Sequence, residues 1–165
     1  MIARNGLLLL STVLSLWFAT ACRSTKPTQL CDGFQSYESP QSVRSQLGAL
    51  GVWKEKLQED PRGSPPYRLL TMSGPFTLSG VDGELLLIFY NDRLMECYFT
   101  TGDGPRLISA FRELHHEVPR DAGAEITIDR RTKFRYIVIA NGLYRFVWTD
   151  PSLEGEHTDW MKRYG

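Results

Sequence analysis

Little in this chain is in excess, and the usual chemical signatures are missing. Its 165 residues include only three cysteines and three histidines. No Gly-x-Ser-x-Gly, phosphate-binding glycine loop, His-Glu-x-x-His or Cys-x-x-Cys occurs, so the common hydrolase, nucleotide, zinc-protease and dithiol motifs give no lead. Charge is balanced at 19 basic against 19 acidic residues. A nucleic-acid partner is therefore not expected, since it would call for a basic face. The longest apolar run, residues 7–18 (LLLLSTVLSLWF), falls short of the roughly 20 residues that cross a bilayer. No repeat or low-complexity tract stands out. With 42% apolar and 23% charged residues, the chain reads as one ordinary globular domain.

What is present begins at the N-terminus. Arg4 precedes the apolar run, and the small residues Ala19, Thr20 and Ala21 lead into Cys22. A basic start, a short apolar core and a small-residue cleavage site make a secretory signal peptide over residues 1–21. The residues up to Cys22 resemble the lipobox of bacterial lipoproteins, although Ala19 stands where Leu is commonest. That resemblance implies that Cys22 becomes a lipid-modified N-terminus and the membrane contact of the mature protein. Arg23 follows, where Asp would imply retention at the inner membrane, so the resemblance implies an outer-membrane protein facing the periplasm. The alternative is an ordinary secreted protein cut near Ala21. Residues 22–30 then form the lipidated Cys and a short polar tether, and residues 31–165 the single domain.

Cys31 and Cys97 remain as an even pair in an oxidising compartment, which suggests a disulfide. Closing so long an interval would add about 4 kcal/mol. Two buried thiols acting as small hydrophobes are the alternative.

The centre of the domain is residues 84–100, ELLLIFYNDRLMECYFT, two strands turning at Asn91-Asp92. A two-residue turn with regular pairing sets Ile88 opposite Met95 and Leu86 opposite Cys97 on one face. Phe89 then faces Leu94, and Leu85 faces Tyr98, on the other. A second hairpin is expected at Asn141-Gly142, with Ile137, Ile139, Tyr144, Phe146 and Trp148 sharing a face. Three helices are expected. The first is capped by Ser39 and stopped by Gly51, with Val43, Leu47 and Leu50 on its face. The second starts at Asp103, with a stripe of Leu107, Phe111, Leu114 and Val118. The last starts at Asp150-Pro151, with Leu153, Trp160, Met161 and Tyr164. Residues 67–72 and 76–79 read as strands interrupted at Ser73-Gly74-Pro75, and residues 52–59 are ambiguous between helix and strand. The fold class is α+β, an antiparallel sheet of hairpins with about three helices, mainly on one face.

Candidate chemistry is sparse. Glu113 with His116, and Glu154 with His157, have the i, i+3 spacing that lets helical side chains share a metal. Such sites need further carboxylates in a helical bundle, so no metal or cofactor is assigned. His115, beside Phe111, reads as a structural histidine. The basic stretch Arg130, Arg131, Lys133 and Arg135 could meet anionic head groups near a membrane, or simply keep an edge strand soluble. Both faces of the strand after Glu84 are apolar, yet the helices are few. The face holding Leu85, Phe89, Leu94 and Tyr98 is therefore a candidate partner-binding surface, unless residues around Phe34 and Tyr37 or the last helix cover it.

Val43, Leu47 and Gly48 also show a faint similarity to a helical segment of small outer-membrane assembly lipoproteins of the barrel-assembly machine, without the Pro that often follows their Gly. The sequence thus leads to an envelope lipoprotein whose domain is a non-catalytic interaction or assembly module. A small metal-dependent envelope enzyme is the alternative.

Overall fold

The computed structural model describes residues 26–31, 33–48, 52–115 and 118–165. The expectations for the signal peptide and for Cys22 lie outside the described residues. The elements run α1 (Pro40–Leu47), β1 (Lys54–Asp60), β2 (Tyr67–Leu78), β3 (Val81–Tyr90), β4 (Arg93–Thr101), α2 (Gly104–His115), β5 (Glu125–Ile128), β6 (Thr132–Val138), β7 (Tyr144–Thr149) and α3 (Pro151–Tyr164). Among the described residues the seven strands make one sheet in the order β1-β2-β3-β4-β7-β6-β5. Every neighbouring pair is antiparallel. Two meanders meet in it: β1 to β4 step inward, α2 carries the chain to the far edge, and β5 to β7 step back until β7 lies on β4. The class is α+β.

Local chemistry explains the boundaries. Ser39 accepts the Ser42 N–H at 3.2 Å, and Pro40 fills the first turn of α1. The helix stops at Gly48, at φ +53, three residues earlier than Gly51 would stop it. Asp150, buried at the start of α3, accepts the N–H groups of Ser152 and Leu153 at 2.8 and 3.1 Å. β2 is one strand across Ser73-Gly74-Pro75. Its partner β1 ends opposite Ser73, so Pro75, without an N–H, lies where that side of the strand has no ladder to break. The ambiguous stretch 52–59 resolves into the edge strand β1, which runs on to Asp60.

The sheet is buried on both faces, by different elements. On the inner face Leu85, Leu87, Phe89, Leu94, Cys97, Phe99, Phe146 and Trp148 pack with Val43 and Leu47 of α1, Leu107 and Phe111 of α2, and Leu30 and Phe34 of the N-terminal segment. On the outer face Tyr67, Tyr90 and Met95 pack with Leu153 and Trp160 of α3. The expectation of helices mainly on one face is thereby corrected: α1 and α2 take one side, α3 the other. In α2, Leu107 and Phe111 are buried but Leu114 is 64% exposed, so the apolar stripe ends a turn early. Met161 of α3 is likewise exposed.

Register is where the sequence misled. Asn91 and Asp92 both hold positive φ, +48 and +59, and make the expected two-residue turn, with Phe89 opposite Leu94. One residue later β4 bulges at Met95: Ile88 pairs with Glu96, Leu86 with Tyr98, and Leu85 with Phe99. The second hairpin slips as well. Asn141 and Gly142 hold φ +64 and +72, but Ile139 closes on Leu143, leaving a three-residue loop. Phe146 consequently pairs with Tyr136, and Ile137 turns to the outer face. A shift of one residue moves every later side chain to the opposite side.

The packing of the inner face, together with the bulge, corrects the proposed partner surface. Leu85, Phe89 and Leu94 are fully buried on the inner face, under the N-terminal segment and two helices, while Tyr98 stands on the other side, half-buried. Cys31 and Cys97 lie in that same inner cluster, and no disulfide joins them.

The register predicts how charge is tolerated. Leu94→Glu should lower the unfolding free energy of the purified domain by about 3 kcal/mol or more, since the carboxylate would be buried unpaired. Ile137→Glu, on the outer face, should cost about 1 kcal/mol or less. Urea unfolding of both variants measures this; equal losses would contradict the assigned faces.

Candidate interaction face

Among the described residues, those considered for metal chemistry do not converge. Glu113 is exposed on α2, and His116 lies outside the described residues. Glu154 is committed elsewhere: its Oε2 accepts from Lys133 Nζ at 2.7 Å, and the same ammonium reaches Glu125 at 3.6 Å. Hydrogen bonding to Glu154 raises the affinity of Lys133 for its proton, so this cation stays charged. Among the described residues no three of His, Cys, Asp and Glu gather as a metal-binding group.

His157 is instead part of an aromatic cluster. Its Nε2 shares a hydrogen bond of 3.2 Å with the Tyr67 hydroxyl, and its ring lies 5.6 Å from that of Tyr67 and 5.3 Å from that of Tyr90. Trp160 packs tilted against Tyr67, 4.6 Å between ring centres, and donates from Nε1 to the Pro65 carbonyl at 3.2 Å. Arg93 lies over Tyr37 and Tyr90 and pairs with Glu156 at 2.7 Å. The contacts of Glu156, His157 and Trp160 hold α3 against the sheet and the loop before β2, while Arg93 over Tyr37 ties in the N-terminal segment. Burial pushes the His157 pKa below its ordinary value near 6.5, with the more distant Glu96 and Glu154 opposing.

Beside this cluster is a cleft of about 480 Å³ floored by Pro61, Pro65, Pro66 and Tyr67. Its charged rim is already paired internally: Asp60 with Arg62, and Arg68 with both Glu59 and Asp92. That leaves little charge to orient a ligand.

The outer face beyond α3 differs. One row of cross-strand neighbours runs Lys54, Ser73, Leu86, Tyr98, Val147, Arg135 from β1 to β6. The next row holds Glu84, Thr100, Arg145 and Ile137. Leu86, Tyr98 and Ile137 are half-buried and belong to neither buried cluster, while Val147 between them is buried, at 3% exposure. Tyr98 is fixed in place. Its hydroxyl donates to Glu96 Oε2 at 2.8 Å, and Thr149 holds the other carboxylate oxygen at 3.1 Å. Burial, then the Glu96 charge, raises the phenol's pKa and keeps it protonated. Arg145 donates only to Thr100 Oγ1, and neither it nor Arg135 forms an ion pair among the described residues. The result is a short apolar strip with a rigid tyrosine and unneutralised guanidinium groups at its margin.

Of the proposed surface residues, only Tyr98 belongs to this strip. Leu86, Ile137, Lys54 and Arg145 were missed: Ile137 changes face through the extra loop residue, Lys54 lies in a stretch ambiguous between helix and strand, and Leu86 was placed on the face expected to be covered. The basic stretch also sits differently from expectation. Lys133 and Arg135 are on β6, an interior strand between β5 and β7, so they do not guard an edge.

The aromatic cluster predicts a pH dependence. A histidine whose folded pKa is depressed binds its proton better when unfolded, so its contribution is present above about pH 6.5 and lost as pH falls below that value. Melting temperature should therefore fall on acidification from neutral pH, and His157→Gln should flatten that part of the profile. A variant melting curve that tracks wild type across this range would contradict the assignment.

No protein-family model matches this chain, and no curated protein matches its sequence.

Proposed function

We propose that the chain is a lipid-anchored envelope protein whose domain is a non-catalytic interaction module. The signal-peptide pattern and Cys22 support the anchor, and the resemblance to lipoprotein signals supports an outer-membrane address facing the periplasm. The observation that carries the interaction reading is the half-buried trio of Leu86, Tyr98 and Ile137, set around the buried Val147 and bordered by Arg135 and Arg145. Its chemistry fits an envelope protein segment that sets an apolar side chain beside a carboxylate. Aromatic and Arg side chains are the types that most often dominate such contacts.

Two substitutions separate the halves of this reading. Cys22→Ala should move the protein from the membrane fraction to the soluble fraction, because the acyl chains supply about 0.8 kcal/mol per buried CH₂. A variant that fractionates like wild type would remove the lipoprotein reading. Tyr98→Ala combined with Arg135→Glu should abolish in-envelope crosslinking to the partner while membrane attachment persists. Unchanged crosslinks would remove the strip as the binding surface.

A further inference from the structure

Three cations meet where the chain enters the domain. Lys26, the first described residue, is exposed, and its carbonyl accepts a hydrogen bond from Arg131 Nη1 at 3.4 Å. Gln29, three residues on, accepts from Thr132 Oγ1 at 2.7 Å through its own carbonyl. The start of the domain is thus held against the β5–β6 turn, residues 129–131. Asp129 and Arg130 take φ +50 and +62 there, and all three turn residues are exposed. Asp129 is the one acid among these four charged residues, leaving a net charge of two positive. Lys26, Arg130 and Arg131 form no ion pair among the described residues, whereas Lys133, just inside β6, is neutralised by Glu125 and Glu154.

Position gives this small patch a partner. Only residues 23–25 stand between Cys22 and Lys26. At about 3.3–3.6 Å per residue, Lys26 can be no more than roughly 14 Å from Cys22. That distance is close to the screening length of about 8 to 10 Å at ordinary ionic strength. We propose that Lys26, Arg130 and Arg131 form a docking surface for anionic phospholipid head groups, which fixes how the domain sits on the membrane. The proposal rests on lipidation of Cys22, which would hold the turn at high local concentration beside the bilayer. Two guanidinium groups on one turn suit phosphate, because each can donate two parallel hydrogen bonds to it.

The test uses the chain from residue 22 onward carrying Cys22→Ala, since all seven strands, the three helices and both buried clusters lie between residues 26 and 165. It is sedimented at low ionic strength with phosphatidylcholine vesicles, with and without phosphatidylglycerol. Binding is expected only to the anionic vesicles, is expected to fall as salt is added, and should drop roughly tenfold or more in Arg130→Glu/Arg131→Glu. Arg130→Lys/Arg131→Lys should retain it, and both variants should melt like the parent. No binding, equal binding to neutral vesicles, or full binding by the Glu variant would overturn the proposal. Mass analysis of the mature protein from its envelope tests the lipid independently. A lipid on Cys22 with an inert turn defeats only the docking surface. An unmodified Cys22 with intact anionic binding defeats only the anchor, and leaves the turn as a peripheral membrane contact.

Discussion

The bulge at Met95 is the point on which the two faces of the domain depend. Its carbonyl accepts the Asp150 N–H at 3.0 Å, which places the residue that caps α3, and its side chain enters the outer cluster with Leu153. Its neighbour Leu94 exchanges backbone hydrogen bonds with the N-terminal segment, donating to Glu38 at 2.9 Å and accepting from Tyr37 at 3.0 Å. From Glu96 onward β4 pairs with β7 instead. One extra residue therefore lets a single strand serve three neighbours, and it turns Glu96 and Tyr98 outward while Cys97 and Phe99 stay inside.

The rest follows from covering that sheet. The inner face is wide and takes α1, α2 and the N-terminal segment, with Phe111 meeting Phe134, Phe146 and Trp148 at 5.4 to 5.9 Å between ring centres. Among the described residues the outer face receives one helix, α3, fastened through the rings of Tyr67, Tyr90, His157 and Trp160, with Tyr37 of the N-terminal segment packed beside them. A single helix of 14 residues covers only part of a seven-stranded sheet. The part beyond that helix holds Leu86, Tyr98 and Ile137, each half-buried, around the buried Val147.

Much of this was legible in the sequence. The α+β class, the Asn91-Asp92 and Asn141-Gly142 turns, the Ser39 and Asp150 caps and the apolar character of both sides of β3 follow from residue type and spacing. The faces were not legible. Neither the bulge at Met95 nor the third loop residue Ala140 carries a local signal as strong as Asn-Gly, and each depends on what the strand packs against. Leu85, Phe89 and Leu94 were assigned to an open surface because three modest helices were expected to leave one face uncovered; α1, α2 and the N-terminal segment cover it, and all three are fully buried. The Glu-x-x-His spacings misled differently. Glu154 does lie near a cation, but it belongs to β6, and spacing within one helix says nothing about the strand opposite.

Cross-strand nuclear Overhauser contacts along β3 and β4 test the central claim most directly. The account predicts contacts joining Leu85 with Phe99 and Leu86 with Tyr98 in the folded domain. Contacts joining Leu85 with Tyr98 and Leu86 with Cys97 would restore the unbulged register, return Tyr98 to the inner face and contradict the outer strip.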